Sequence, residues 1–186
     1  MEKLLIILLS CFGLFSCTAS FVPNYELNWK DQNAIASKIV IKNDNFKKIT
    51  DISGPSCWAQ NCKKKADLSS EGQYGGSVHI RSWVKSGIKS YQLYGTLYGK
   101  DWMFIDHAFD SDGKKYDLVQ ISRDTLTCKT SCTVQEHVGV TLSESEMSVY
   151  SKEGFKIVFY GKQGQSGAWV IPPEYFRAML EATNKA

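Results

Sequence analysis

The second half of the chain is built from short segments in which apolar and polar residues alternate, with turns between them that are mostly too brief to hold a helix. Ser77 to Val84 sets Val78, Ile80 and Val84 against His79, Arg81 and Trp83. Tyr91 to Tyr98 sets Tyr91, Leu93 and Leu97 against Gln92, Tyr94, Thr96 and Tyr98. Trp102 to Phe109, Tyr116 to Ile121, Glu136 to Leu142, Phe155 to Tyr160 and Ala168 to Ile171 continue the series. A period of two marks a strand with one face buried. Gly99-Lys100-Asp101 and Asp112-Gly113 punctuate it, and Asp-Gly supplies the positive φ that a tight hairpin needs. Parallel strands need crossovers of a dozen or more residues, so these connections imply antiparallel pairing. The expected fold is mainly β: an antiparallel β-sandwich or barrel-like sheet, with a short C-terminal helix packed on it.

Two helices interrupt the strands. Ser143-Glu144-Ser145-Glu146 has the form of a helix cap, and Gly154 stops that helix. Pro172-Pro173-Glu174 opens the second. Phe176, Met179 and Leu180 then recur at helical spacing, a stripe that must dock on the sheet. Upstream, Ile39-Val40-Ile41 reads as a strand, and Asn43-Asp44-Asn45 and Ser53-Gly54-Pro55 read as turns. Cys57 to Gly76 reads as a polar loop containing the basic run Lys63-Lys64-Lys65, which suits a solvated loop better than a lipid contact.

The N-terminus has a different character. Lys3 is basic, and Leu4 to Leu9 and Phe12 to Phe15 are apolar. The segment is too short to span a bilayer and reads as a secretory signal. Its end, Leu14-Phe15-Ser16-Cys17, resembles the lipobox of bacterial lipoproteins. That resemblance implies cleavage before Cys17, diacylglycerol on its sulfur and acylation of the new N-terminus. Thr18 in place of aspartate then implies the outer membrane of a Gram-negative envelope. The expected organisation is a signal at 1–16, a lipidated tether at 17–35 and one β-rich domain at 36–186. About 170 residues remain after the signal, enough for one real core.

Four cysteines follow Cys17: Cys57, Cys62, Cys128 and Cys132. In an oxidising compartment an even number reads as two disulfides, with three possible connectivities. Loop entropy favours links between the two clusters. Closure kinetics and the placement of each pair in its own turn favour Cys57–Cys62 and Cys128–Cys132, the expected pairing. The spacings fit neither a zinc knuckle nor a two-residue redox motif.

The order of several motifs resembles a group of uncharacterised proteobacterial envelope proteins over roughly residues 75–182. These are Tyr91-Gln92-Leu93-Tyr94, Trp102, Ala108-Phe109-Asp110, Cys128 and Cys132, Glu136-His137-Val138-Gly139-Val140, Gly154-Phe155-Lys156 and Ile171-Pro172-Pro173-Glu174-Tyr175. The resemblance implies an envelope location and a β-rich fold. It brings no activity and no functional residue.

The chemistry-bearing residues suggest binding. A net charge of +3 is too mild to imply a nucleic-acid partner. Asp106, His107, Asp110, Asp112 and Asp117 depart from the calcium-loop pattern, because Gly113 stands at the third acidic position. Gly164-Gln165-Ser166-Gly167 lacks the nucleophile-elbow pattern, and the glycines at 161, 164 and 167 lack that of a phosphate loop. His79, His107 and His137 read as strand residues. No metal, cofactor or catalytic set is expected. Trp83, Tyr94, Tyr98 and Tyr160 are the candidate partner-binding residues, on one outward face of neighbouring strands, since Tyr and Trp give area at few rotors. The expected function is a non-enzymatic accessory lipoprotein that is held to the membrane by its lipid and binds an envelope protein, with inhibitor or immunity proteins as a special case. The alternative is a carrier of a small ligand or lipid, which would show as a large apolar cavity.

Overall fold

The computed structural model describes residues 27–58, 76–128, 132–162 and 164–186. The elements run α1 (Gln32–Ala36), β1 (Val40–Asp44), β2 (Ile49–Ser53), β3 (Cys57–Trp58), β4 (Gly76–Lys85), β5 (Ile88–Gly99), β6 (His107–Asp110), β7 (Lys115–Cys128), β8 (Cys132–Leu142), α2 (Glu144–Glu153), β9 (Phe155–Gly161), β10 (Gly164–Ile171) and α3 (Pro173–Lys185). The strands form one antiparallel sheet in the order β1-β2-β4-β5-β8-β7-β6-β9-β10, with β3 pairing beside β4. The sheet curls into a half-barrel and α3 packs on it.

Alternation decides which side of the sheet is buried. Val78, Ile80, Leu93, Leu97, Val138 and Val140 all face inward at 0% exposure. Trp169, Phe159, Tyr175, Phe176 and Met179 fill the hollow of the curl. Pro172 ends β10 and Pro173 begins α3, where a missing N–H costs nothing. Phe176 and Met179 are fully buried, and Leu180 packs against them partly covered. Tyr175 adds a deeper tie: its hydroxyl accepts from the Ile80 N–H at 3.1 Å and donates to the Pro55 carbonyl at 2.7 Å. Ser143 and Glu146 form a complete capping box on α2.

Three expectations change. Within the 17–35 range expected as a tether, residues 32–35 belong to α1. Asp31 caps that helix, and Ile35 is fully buried, so the folded unit reaches back to the first described residues. Residues 17–26, Cys17 among them, lie outside the described residues, as do 1–16 and Lys63-Lys64-Lys65. The strand expected over Trp102 to Phe109 begins only at His107. The Glu136 carboxylate, fully buried, accepts the backbone N–H groups of Met103, Phe104 and Ile105 at 2.6, 2.8 and 3.1 Å. Amides bound to a side chain cannot join a ladder. A strand also runs over Ile49–Ser53, between the two turns read upstream.

Cys128 and Cys132 are joined by a disulfide that closes the β7–β8 hairpin, as expected. Cys57 is also disulfide-bonded. Cys62 lies outside the described residues.

Candidate functional site

Strands β4, β5 and β8 pair in a register that brings an unusual set of side chains together on the outward face. His79 stands opposite Tyr94, Arg81 opposite Gln92, and Trp83 opposite Ser90. On the other side of β5, Tyr94 faces Gly139 and Thr96 faces His137. Each is two residues from the next along its strand, so all share one face.

Arg81 is the centre of this group. Its guanidinium carbon lies 4.4 Å from the centroid of the Tyr94 ring and 4.9 Å from that of Trp83. Its Nε and Nη2 both donate to Gln92 Oε1, at 2.9 and 2.6 Å. Gln92 reaches that position because residue 139 is glycine: a Cβ there would come within 2.4 Å of the carboxamide. Burial lowers the Arg81 pKa, while Tyr94 and Asp51 oppose the shift. The group therefore presents a fixed, partly desolvated cation between two aromatic rings.

A second cluster adjoins it. The Tyr94 hydroxyl and His137 Nδ1 are 2.6 Å apart, and Thr96 Oγ1 lies 3.3 Å from the same nitrogen. His137 Nε2 is 3.8 Å from the Asp124 carboxylate, an ion pair when the ring is protonated. Burial lowers the His137 pKa, partly countered by Asp124. The His79 ring lies 4.8 Å from that of Tyr94. Burial, then repulsion from Arg81 and His137, pushes the His79 pKa down to about 4, so this imidazole is neutral at pH 7. A neutral histidine beside a permanent cation is poorly suited to take a proton.

The face continues in both directions. Trp58 stacks on Tyr98 with centroids 6.4 Å apart and planes 6° from parallel. At the other end, Trp83 lines a shallow cavity of about 400 Å³ with Ile49, Lys85, Ser86, Ile88 and Ser90. Trp83, Tyr94 and Tyr98 thus belong to one surface, as the alternation implies.

Tyr160 does not share it. It lies on β9, separated from β5 by β8, β7 and β6, and stacks on His107 with centroids 5.5 Å apart. Neighbouring position in the sequence pattern gave no information on strand order, which here puts β9 beside β6. His107 Nδ1 in turn contacts the Asp106 carboxylate. Asp110 caps its own hairpin, accepting from the Asp112 and Lys114 N–H groups at 2.9 Å each and from the Tyr116 hydroxyl at 3.2 Å. Among the described residues no group of three or more His, Cys, Asp or Glu is placed to hold a metal ion.

By residue type the aromatics stand out, while Arg81, Gln92, Gly139 and His137 read in the sequence as ordinary strand residues. Arg81 and His79 were visible on the same side as Trp83 in the β4 alternation. The partners on β5 and β8 emerge only with the register. Comparison with protein-family models, curated proteins and solved structures finds no match.

Proposed function

We propose that this protein is a lipid-anchored envelope module that holds a protein partner against the outward face of β4, β5 and β8, and that it works by binding and not by catalysis. The observation that carries this reading is the Arg81 guanidinium held between Trp83 and Tyr94. Trp, Tyr and Arg are the residues that dominate binding energy at protein interfaces. Here they are ordered in advance, by Gln92 over Gly139 and by the Tyr94–His137 contact, so less conformational entropy is lost on docking. The carrier reading has less support, because the hollow of the curl is occupied by Trp169, Phe159, Tyr175 and Phe176. An inhibitor or immunity protein fits the same surface.

The anchor is the second half of the proposal. It rests on the lipobox-like Leu14-Phe15-Ser16-Cys17. Several acyl chains on Cys17 would hold the domain at the membrane with no further signal.

One experiment tests both halves. Envelope proteins are captured on the wild-type chain, on Trp83→Ala/Tyr94→Ala and on Cys17→Ser, with each fraction located by membrane separation. The expected result is a partner retained by the wild type and by Cys17→Ser, and lost by the double variant at an unchanged melting temperature. Cys17→Ser should either leave the membrane fraction or accumulate with its N-terminal signal uncleaved. Equal capture by the double variant would remove the face from the proposal. Unaltered membrane partition of Cys17→Ser together with unaltered maturation would remove the anchor.

A further inference from the structure

Two hairpin tips come together at one end of the sheet. β2 pairs with β4 so that Ile49 faces Lys85. The β1–β2 turn, residues 45–48, therefore lies beside the β4–β5 turn, Ser86-Gly87. Both turns are held in defined shapes. Asp44 accepts the Phe46 and Lys47 N–H groups at 3.0 and 2.9 Å. Ser86 and Gly87 have φ of 50° and 78°, the mirror-image turn that suits a two-residue hairpin. Each turn presents an apolar side chain to water. Phe46 is fully exposed and Ile88 is 71% exposed. These are costly residues to display at the tips of rigid turns.

The charges around them are one-sided. Residues 44–49 and 84–89 contain Lys47, Lys48, Lys85 and Lys89; Lys47 lies 3.8 Å from Asp44 and Lys89 is turned to Glu144 at 3.6 Å, which leaves Lys48 and Lys85 as the excess positive charge beside the tips. Trp83 lies just behind, lining the shallow cavity with Ile49 and Ile88. A projecting Phe and Ile, a ring of lysines and a tryptophan one step back match the layers of a bilayer surface. The apolar tips would enter the acyl boundary, the lysines would reach phosphate, and the indole would sit at the headgroup level.

We propose that this twin-hairpin end rests on an anionic lipid surface, with Phe46 and Ile88 inserted and Lys47, Lys48 and Lys85 on the headgroup phosphates. The charge complementarity favours lipid over a protein partner, with Lys48 and Lys85 beside a fully exposed Phe46. Residues 17–26 precede the first described residue and can span up to about 35 Å, which sets the reach of Cys17 from the folded unit. This contact adjoins the outward face of β4, β5 and β8 and shares Trp83 with it, but Phe46, Lys47 and Lys48 belong to the β1–β2 turn alone. Its failure would leave the partner-binding proposal standing.

The test uses the full chain with vesicles of phosphatidylcholine alone and of phosphatidylcholine with one third phosphatidylglycerol. The wild type is compared with Phe46→Ser/Ile88→Ser and with Lys47→Glu/Lys48→Glu, at low and high salt. Partition onto anionic vesicles should fall at least tenfold in the first variant. In the second it should fall by more than the roughly fivefold expected for loss of a single surface lysine. Salt should weaken the wild type but not the charge variant. Because the apolar N-terminal segment adds the same background to every version, partition is read as the ratio of anionic to neutral vesicles, and Phe46→Trp is read as well, with brominated phosphatidylglycerol as the quencher. Quenching beyond that of the wild type is expected on anionic vesicles. No added quenching, or equal quenching on phosphatidylcholine alone, overturns the proposal. So does a tip whose substitution dissociates a dimer of this chain in the absence of lipid.

Discussion

The two faces of β4, β5 and β8 are made by the same strands from alternate residues, and they follow different rules. The inner face is a run of Val, Ile and Leu closed over by α3. Any apolar residue of suitable volume would serve there. The outer face is made of a cation, two aromatic rings, an amide and two imidazoles, each positioned by another. Volume does not explain that choice. Stability accounts for the inner face and leaves the outer one unexplained, which is why the outer face carries the functional proposal.

The sharpest way to break this contrast is at the inner face. Phe176→Ala should lower the unfolding free energy by about 3–5 kcal/mol, since the ring is fully buried. A loss below about 1 kcal/mol in chemical denaturation would mean that α3 does not close the core.

The next effect is electrostatic and belongs to the outer face. His79 has a folded-state pKa of about 4 against an ordinary 6.5. As pH falls below 6.5 the unfolded chain takes up this proton first. The stability that depends on a neutral His79 is therefore full above 6.5 and is lost as pH falls through about 4. The slope from this residue reaches at most about 1.4 kcal/mol per pH unit. His137 is shifted the same way and adds to it. Denaturation midpoints from pH 7 to 4 should fall less steeply in His79→Gln than in the wild type; parallel profiles would count against a buried neutral imidazole.

Gly139→Ala should be milder for stability, about 1 kcal/mol, because the obstructed atoms are the end of a flexible side chain. Its larger consequence is for binding. Gln92 must swing away and release Arg81, so partner capture should drop while the fold survives. Retained capture would show that Arg81 needs no such support. Ile88→Ser should change stability by no more than about 0.5 kcal/mol, as expected for an exposed turn-flanking residue. A larger loss in a thermal melt would place Ile88 in the core and blur the contrast.

Legibility in the sequence divided along the same line. The central strands were readable because burial on one side imposes the period of two, and Gly-Asp turns mark their ends. β2 escaped because Ile52 is its only buried residue, too little to set a pattern. α1 escaped for the same reason, with Ile35 alone buried. Met103 and Ile105 are buried and alternate like a strand, yet their amides go to Glu136. A distant carboxylate outcompeted the ladder, and local sequence holds no sign of it. For the candidate site, Trp83, Tyr94 and Tyr98 could be placed on one face from alternation within each strand. Arg81's lock required knowing that Gly139 lies across from Tyr94. Tyr160 required the strand order, which hairpin reasoning does not supply.

The Glu136 carboxylate has a wider consequence for cooperativity. Among the described residues the sheet ends at β1 and β10 with no pairing between them, and β7 changes partner from β6 to β8 between Asp117 and Leu118. The segment 103–106 runs across that weak point. It is held to β8 through Glu136, whose other oxygen also accepts from Arg123 Nε at 3.2 Å. On its far side the Lys162 N–H donates to the Met103 carbonyl and the Asp106 N–H to that of Tyr160, both at 3.0 Å. One carboxylate thus ties segment 103–106, and through it β9, to β8, beside the link that β7 itself makes. In native-state hydrogen exchange, the amides of Met103, Phe104 and Ile105 should be protected as strongly as those of β5, although they lie in no strand. Glu136→Gln should bring them into the fast-exchanging class before any other part of the sheet.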